Sequence, residues 1–201
     1  MIGLENLTPN RLDGMHVTLE PLSEAHREGL RAAADDARIW EHTTGIARGT
    51  GFDEWLAGAF TLRDAGHEVP FAVRLCRDGR LVGSTRYVDP VPRHKRVEIG
   101  ATWYHPDVWG STVNPECKLL LLRHAFEVWG ANRVELVTDV LNTRSRAAIA
   151  GLGAVFEGVR RAHMIVRNGR VRDSAAFAIT RAEWMAVAEG LQARVRAGAT
   201  P

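Results

Sequence analysis

Two hairpin signals flank a strand–helix–strand unit in this 201-residue sequence, and this order restricts the fold more than any other feature. The dipeptides Asp78-Gly79 and Asn168-Gly169 favour tight turns between antiparallel strands. Between them, the strand–helix–strand unit spans about residues 97–138. Antiparallel hairpins combined with such a unit indicate a mixed α/β sheet.

The hydrophobic periodicity predicts seven strands and five helices in the order β-α-α-β-β-β-α-β-α-β-β-α. The strands are expected at 15–20, 71–75, 81–88, 97–104, 133–138, 154–166 and 172–179. The helices are expected at about 23–34, 52–65, 115–129, 143–151 and 181–193. A chain of this length suits a single domain over 1–201, with its core at about 12–184 and a C-terminal helix and tail at 185–201.

Composition argues against several classes of function. Lys and Arg number 26 against 24 Asp and Glu, and no nucleic-acid-binding motif is present, so we expect no nucleic-acid partner. No apolar run approaches the roughly 20 residues that cross a bilayer, so we expect no membrane partner. The amino terminus lacks a basic-then-apolar pattern, so we expect no signal sequence. Cys76 and Cys117 form no CxxC pair, which fits a reducing, cytoplasmic compartment. The eight histidines lack metal-binding spacing, so we predict no metal site.

A loop that precedes the helix predicted at 115–129 has the composition of a phosphate site. Its sequence is Trp109-Gly110-Ser111-Thr112-Val113-Asn114-Pro115-Glu116. Gly110 permits a tight turn, and Pro115 fits the first turn of a helix. The free N–H groups and the positive dipole end of that helix would suit a phosphate. An ordinary capped helix explains the same residues, and the loop alone does not decide between the two.

Longer motifs resemble the GNAT family of N-acetyltransferases, in particular its RimJ/RimL-like branch. The likeness runs from about Leu12 to Trp184 and is most specific from Glu98 to Asp173. The motifs that carry it are Val97-Glu98-Ile99-Gly100, Trp103-Tyr104-His105-Pro106, Trp109-Gly110-Ser111-Thr112, the run from Thr138 to Ile149, Leu152-Gly153-Ala154-Val155-Phe156-Glu157-Gly158, Arg172-Asp173-Ser174 and Glu183-Trp184.

The resemblance implies a splayed, mostly antiparallel central sheet flanked by helices, and acetyl-coenzyme A (acetyl-CoA) as co-substrate. The pantetheine arm would lie between the strands at 97–104 and 133–138. The pyrophosphate would meet the loop amides, and the implied cofactor-binding residues are Gly110, Ser111, Thr112, Val113, Asn114 and Asn142. The family's Gln/Arg-x-x-Gly-x-Gly/Ala pattern aligns here as Trp109-x-x-Thr112-x-Asn114, so Gly110 is the one glycine in this stretch.

Glu98 and Ser145 are the catalytic candidates that the resemblance implies. Glu98 would accept the proton of the amine, and its alternative role is a structural ion pair with Arg96 or Arg86. Ser145 would serve the leaving thiolate, a task that many relatives give to a tyrosine. Its alternative is a position in the first turn of a helix capped by Asn142.

The implied reaction is transfer of acetyl from acetyl-CoA to a primary amine by direct attack in a ternary complex. The amine belongs to a small molecule or to a protein N-terminus, and Trp40-Glu41-His42 would border its cleft. The altered loop and the missing tyrosine also suit a non-catalytic acyl-CoA-binding module. The resemblance further implies a homodimer.

Overall fold

A computed structural model describes residues 4–8, 10–167 and 169–198 of the chain. Its strands are β1 (Leu12–Asp13), β2 (Val17–Pro21), β3 (Glu68–Leu75), β4 (Leu81–Val91), β5 (Arg96–Tyr104), β6 (Arg133–Asp139), β7 (Val155–Ile165) and β8 (Val171–Thr180). Its α-helices are α1 (Arg27–Ala33), α2 (Gly51–Asp64), α3 (Val113–Arg123), α4 (Thr143–Ala150) and α5 (Trp184–Ala197).

The eight strands form one sheet in the order β1-β2-β3-β4-β5-β6-β8-β7. Every neighbouring pair is antiparallel except β5 and β6, which are parallel and are connected through α3. This topology confirms the predicted mixed α/β sheet. Each predicted strand and helix has a counterpart, and the two-residue strand β1 is an addition that no pattern indicated.

Glycine sets both hairpin turns. Gly79 has a φ of +73° between β3 and β4, and Gly169 has a φ of +71° between β7 and β8, a region that residues with a Cβ avoid. Asn168, which completes the second predicted turn, lies outside the described residues. Each hairpin therefore turns at a glycine, the residue that most readily adopts a positive φ.

Several predicted helix ends differ from the structure. The first predicted helix opens as a 3₁₀ turn at Glu24–His26, where the Ser23 N–H donates to His26 Nδ1 over 3.1 Å. The third helix begins two residues earlier than expected, at Val113, and continues as a π-helical turn over His124–Val128. The last begins at Trp184 instead of Arg181.

Buried apolar residues cover both faces of the sheet. On β3, Phe71 and Val73 belong to a large cluster with residues of α3 and α5, whereas Ala72 belongs to a second cluster with residues of α1 and α2. Because side chains alternate along a strand, the two clusters lie on opposite faces. We call these the α3/α5 face and the α1/α2 face.

Candidate functional site

A gap between β5 and β6 forms the site. Their parallel ladder pairs Arg96 with Arg133, Val97 with Val134 and Glu98 with Glu135, and then it ends. Both strands continue beyond that point, to residues 104 and 139. The divergence opens a cavity of about 690 Å³.

A β-bulge in β5 lies at the gap. On β4, Arg86 pairs with Gly100 and Ser84 pairs with Trp103, so Thr85 alone opposes the two β5 residues at 101 and 102. Ala101 adopts a φ of +45°, in the left-handed region. Bulges of this kind bend a strand and redirect its side chains, and here the bend accompanies the separation from β6.

The cavity brings together five of the eight predicted site residues, from three separate elements. Its lining includes Glu98 from β5, Gly110 and Asn114 from the loop and start of α3, and Asn142 and Ser145 at the start of α4. Ser111, Thr112 and Val113 adjoin Gly110 in the chain but lie outside the lining.

The loop before α3 presents free backbone N–H groups. Val113 N–H donates to Ser111 Oγ over 3.2 Å, and Ser111 N–H reaches the Val108 carbonyl at 3.4 Å. Within the described parts of the chain, no group accepts from the amides of Gly110, Thr112 and Asn114. Free amides at the start of an 11-residue helix favour an anion in front of them.

Gly110 gives this loop its shape. Its φ is +74°, and apart from its two chain neighbours no described residue has an atom within 4 Å of the position that a Cβ would occupy. The space above the turn is therefore open to a ligand, and the backbone conformation itself favours glycine.

Glu98 is a carboxyl group without a partner among the described residues. It lines the cavity, and no described residue donates a hydrogen bond to it. Burial and then repulsion by Glu135 raise its pKa to about 7, against the opposing charges of Arg160 and Arg172. The alternative pair with Arg86 is absent, since that guanidinium binds Glu68.

Asn142 and Ser145 have the capping geometry that their spacing indicates. Asn142 Oδ1 accepts from Ser145 N–H over 2.9 Å and is the N-cap of α4. The side chains of both residues are half-buried and line the cavity. Capping uses the Ser145 amide, and no described residue forms a hydrogen bond with its hydroxyl.

Lys118 is a site residue that sequence reasoning missed. It lies on α3, is 5% exposed, and its Nζ donates to Thr102 Oγ1 over 2.7 Å at the bulge. Burial lowers its pKa to about 8. A lysine within a helix ordinarily indicates a solvent-exposed face. Its place in the site therefore becomes clear only from the structure, where α3 packs against β5.

Aromatic side chains close the α1/α2 face of the cavity. Trp103 packs against Trp40 and Trp55, with ring centroids 5.3 and 5.6 Å apart. Trp40 and His42 line the cavity. Glu41 does not line it. His163 also reaches the cavity, and its Nδ1 lies 3.0 Å from Ser174 Oγ.

The described residues contain neither a candidate membrane-spanning helix nor a cluster of metal ligands. None of the helices there is long and apolar enough to cross a membrane. No group of three or more His, Cys, Asp or Glu residues in the same ranges is arranged to hold a metal ion.

Comparison with known proteins gives a consistent family. Residues 16–155 match the family model described as an acetyltransferase (GNAT) domain. A GCN5-related N-acetyltransferase from Brucella melitensis superposes with a TM-score of 0.86 at 29% identity, covering 92% of this chain and 85% of that one. A protein from T. thermophilus assigned as an acetyltransferase gives 0.83 at 34% identity, covering 92% and 97%.

A third similar structure contains a coenzyme A species. Mycobacterium smegmatis RimJ, solved in complex with CoA-disulfide, gives a TM-score of 0.73 at 25% identity, with 88% of each chain covered. No curated protein matches the sequence significantly.

Proposed function

This chain belongs to the GNAT acetyltransferase family, and from that premise we propose that it acetylates a primary amine by direct attack within a ternary complex. As a member of that family it is an acetyl-CoA-dependent acyltransferase. The amine, the roles of individual residues and the order of events belong to our proposal. The observation that carries it is the unpartnered Glu98 carboxyl in the cavity between β5 and β6.

The residues present fit acetyl-CoA. When bound, it supplies an acetyl group activated as a thioester. The free amides of Gly110, Thr112 and Asn114 would hold its pyrophosphate, and the open space above Gly110 leaves room for it. The edges of β5 and β6 that no longer pair with each other would hold the amide groups of its pantetheine arm.

Glu98 would accept a proton from the amine. An amine attacks only in its neutral form. As its nitrogen bonds to the acetyl carbon and the C–S bond breaks, the nitrogen must lose a proton, and a base in the cavity accepts it. A carboxyl with a pKa of about 7 is half ionised near neutral pH and is a much stronger base than an ordinary glutamate. Its position at the last rung of the β5–β6 ladder puts it at the base of the gap.

Ser145 would donate a hydrogen bond to the sulfur of the donor, and Asn142 would hold α4 in place for it. The cap from Asn142 fixes the first turn of α4 without using the Ser145 hydroxyl. Positioning of this kind supplies much of the rate when both substrates are held together.

The similarity to M. smegmatis RimJ supports the RimJ/RimL-like branch within the family. In that branch the acceptor would be a protein N-terminus or a small amine, and family membership does not choose between them. A homodimer is our expectation from the same resemblance, and sedimentation velocity measures it.

A thermal-shift experiment followed by an activity assay tests the proposal. Acetyl-CoA or coenzyme A at about 100 times its dissociation constant should stabilise the protein by about 2.7 kcal/mol, and free adenosine nucleotides should do little. Release of free thiol with an amine panel then detects transfer. No shift at millimolar ligand would refute the donor site. A shift without thiol release from any amine would indicate the non-catalytic acyl-CoA-binding module instead.

A further inference from the structure

Arg172 is a buried guanidinium without a partner in the part of the chain that the structure describes. It belongs to β8, lines the cavity and is 8% exposed. No residue within the described ranges accepts a hydrogen bond from it or forms an ion pair with it, and its Nε is closed to solvent without an acceptor. Burial lowers its pKa, although the carboxylates of Asp139 and Glu98 act on it through space.

Other arginines of the cavity have partners. Arg86 binds Glu68, and Arg160 binds Glu135 at 2.8 Å. Arg144 is exposed and stacks over the Trp109 ring at 3.5 Å. The nearby carboxylate of Asp139 is taken by Arg170 and by the Leu141 amide. An unpaired buried charge is costly, so the unsatisfied donors of Arg172 call for an anion from outside the chain.

Arg172 lies on the same side of the sheet as Glu98. Ala175, Phe177 and Ile179 of β8 belong to the α3/α5 cluster, so the even-numbered residues of β8 face the α1/α2 side. By the same alternation, Val97 and Ile99 of β5 face the α3/α5 side and Glu98 faces away from it.

A second donor without an acceptor occurs on the same face. The indole Nε1 of Trp103, a residue that is 5% exposed and lines the cavity, has no hydrogen-bond partner within the described residues. The Nε of Arg86, whose guanidinium stacks over Trp55 on this face, likewise lacks an acceptor within the described residues. Three donor atoms without acceptors, two of them on charged groups, indicate an acceptor-rich group on this side. The amides proposed for pyrophosphate belong to the start of α3, on the opposite face.

We propose that the acceptor substrate carries an oxyanion, a carboxylate for which the planar guanidinium of Arg172 is the matching group, in addition to its reactive amine. The substrate class is then a small amino acid. This inference rests on the proposed function. Glu98 faces the amine, Arg172 binds the carboxylate, and both groups act from the α1/α2 face.

The test uses a panel of amino acids in which each acid is paired with its amide. Wild-type protein should acetylate the acid with a KM at least about tenfold lower than that of the amide, since a hydrogen bond to a charged group is involved. Arg172→Met should remove this difference and leave the dissociation constant of acetyl-CoA unchanged. Arg172→Lys should restore part of it. Arg77→Met removes an exposed arginine outside the cavity and should keep the full acid-to-amide ratio.

Three results would overturn the inference. The first is a wild-type KM for the amide that is equal to or lower than that for the acid. The second is a preference for the acid that persists in Arg172→Met. The third is a higher dissociation constant of acetyl-CoA in Arg172→Met. An aminoalkylphosphonate in the same panel distinguishes a phosphonate from a carboxylate. If it alone is preferred, the carboxylate assignment is wrong.

A stability measurement works without an identified acceptor. In the absence of ligand, Arg172→Met should melt at the same temperature as wild type or higher, because it removes a buried charge that has no partner. A lower melting temperature would assign Arg172 to the scaffold and overturn the inference. If coenzyme A binds but no amine reacts, the proposed function fails, and this measurement still decides the role of Arg172.

Discussion

Replacing Glu98 by Gln tests the central group of the proposed site through stability as well as rate. Burial raises the pKa of Glu98 from 4.5 to about 7. At 1.36 kcal/mol per pKa unit, this difference corresponds to about 3 kcal/mol. The charged groups that act on this carboxyl through space are Asp89, Glu135, Arg160 and Arg172, and Glu98 in turn acts on Lys118.

The sign of the effect follows from proton linkage. Between pH 4.5 and 7 the folded protein binds more protons at Glu98 than the unfolded chain does, so wild type loses stability as pH rises through this window. Glutamine is neutral throughout. Glu98→Gln should therefore match wild type near pH 4 and exceed it by up to about 3 kcal/mol at pH 8.

Urea denaturation at a series of pH values from 4 to 8 measures this difference. Glu54→Gln removes an exposed carboxyl of α2 that lies outside the cavity, and it controls for the loss of one carboxyl. Two results would refute the burial of an unpartnered carboxyl. One is a stability difference between Glu98→Gln and wild type that stays constant with pH, and the other is a Glu98→Gln variant that is less stable than wild type at pH 8.

The same variant separates catalysis from stability. A positioned base contributes about 100-fold or more to rate, so kcat/KM of Glu98→Gln should fall by at least that factor at pH 8. Wild-type kcat/KM should decrease below pH 7, where Glu98 takes up a proton. A stable variant with full activity would confirm the buried carboxyl and exclude it as the base.

Three other sites, the loop, the buried lysine and the start of α4, are tested by further substitutions. Gly110→Val puts a β-branched residue at a φ of +74°, so the turn should change shape. The dissociation constant of acetyl-CoA, measured by calorimetry, should then rise about tenfold. An unchanged constant would contradict the loop assignment. Lys118→Met should exceed wild type in stability by up to about 3 kcal/mol at pH 7. The pKa of Lys118 is lowered from 10.5 to about 8, so wild type gains stability as pH rises between those values, and the stability difference should shrink toward pH 10. Denaturant melts at pH 7 and 9.5 measure that difference, and an equal difference at both would count against the buried charge. Ser145→Ala keeps the Asn142 cap and should lower kcat about tenfold with little loss of stability. Asn142→Ala removes the cap and should lower the free energy of unfolding by about 1 kcal/mol. Full activity of Ser145→Ala would limit the serine to a structural role in the helix.

Local patterns were enough to predict the sheet and its helices. Alternating apolar residues and a glycine turn act over a few neighbouring positions, and both the β3–β4 and β7–β8 hairpins follow from them. The strand β1 has two residues and no periodicity, so nothing local indicates it. It forms because β2 offers an edge with which Leu12 and Asp13 can pair.

Charged residues that become buried were the hardest to place from sequence. Glu116 appeared only as part of a capping loop, yet its carboxylate accepts from the backbone amides of Met15, His16 and Val17 and ties the start of β2 to α3. Lys118 and Arg172 likewise look like members of solvated faces. Their burial depends on contacts between segments that are distant in the chain, which no local pattern contains.

The bulge at Ala101 explains how groups from both faces of the sheet reach one cavity. Along a regular strand, Trp103 would face the same side as Ile99, because both numbers are odd. In the structure Ile99 belongs to the α3/α5 cluster and Trp103 to the α1/α2 cluster. One extra residue opposite Thr85 has reversed the alternation. It aims the Thr102 hydroxyl at Lys118 and places the Trp103 indole on the face of Glu98. Groups from both faces of the sheet therefore border the cavity where β5 leaves β6.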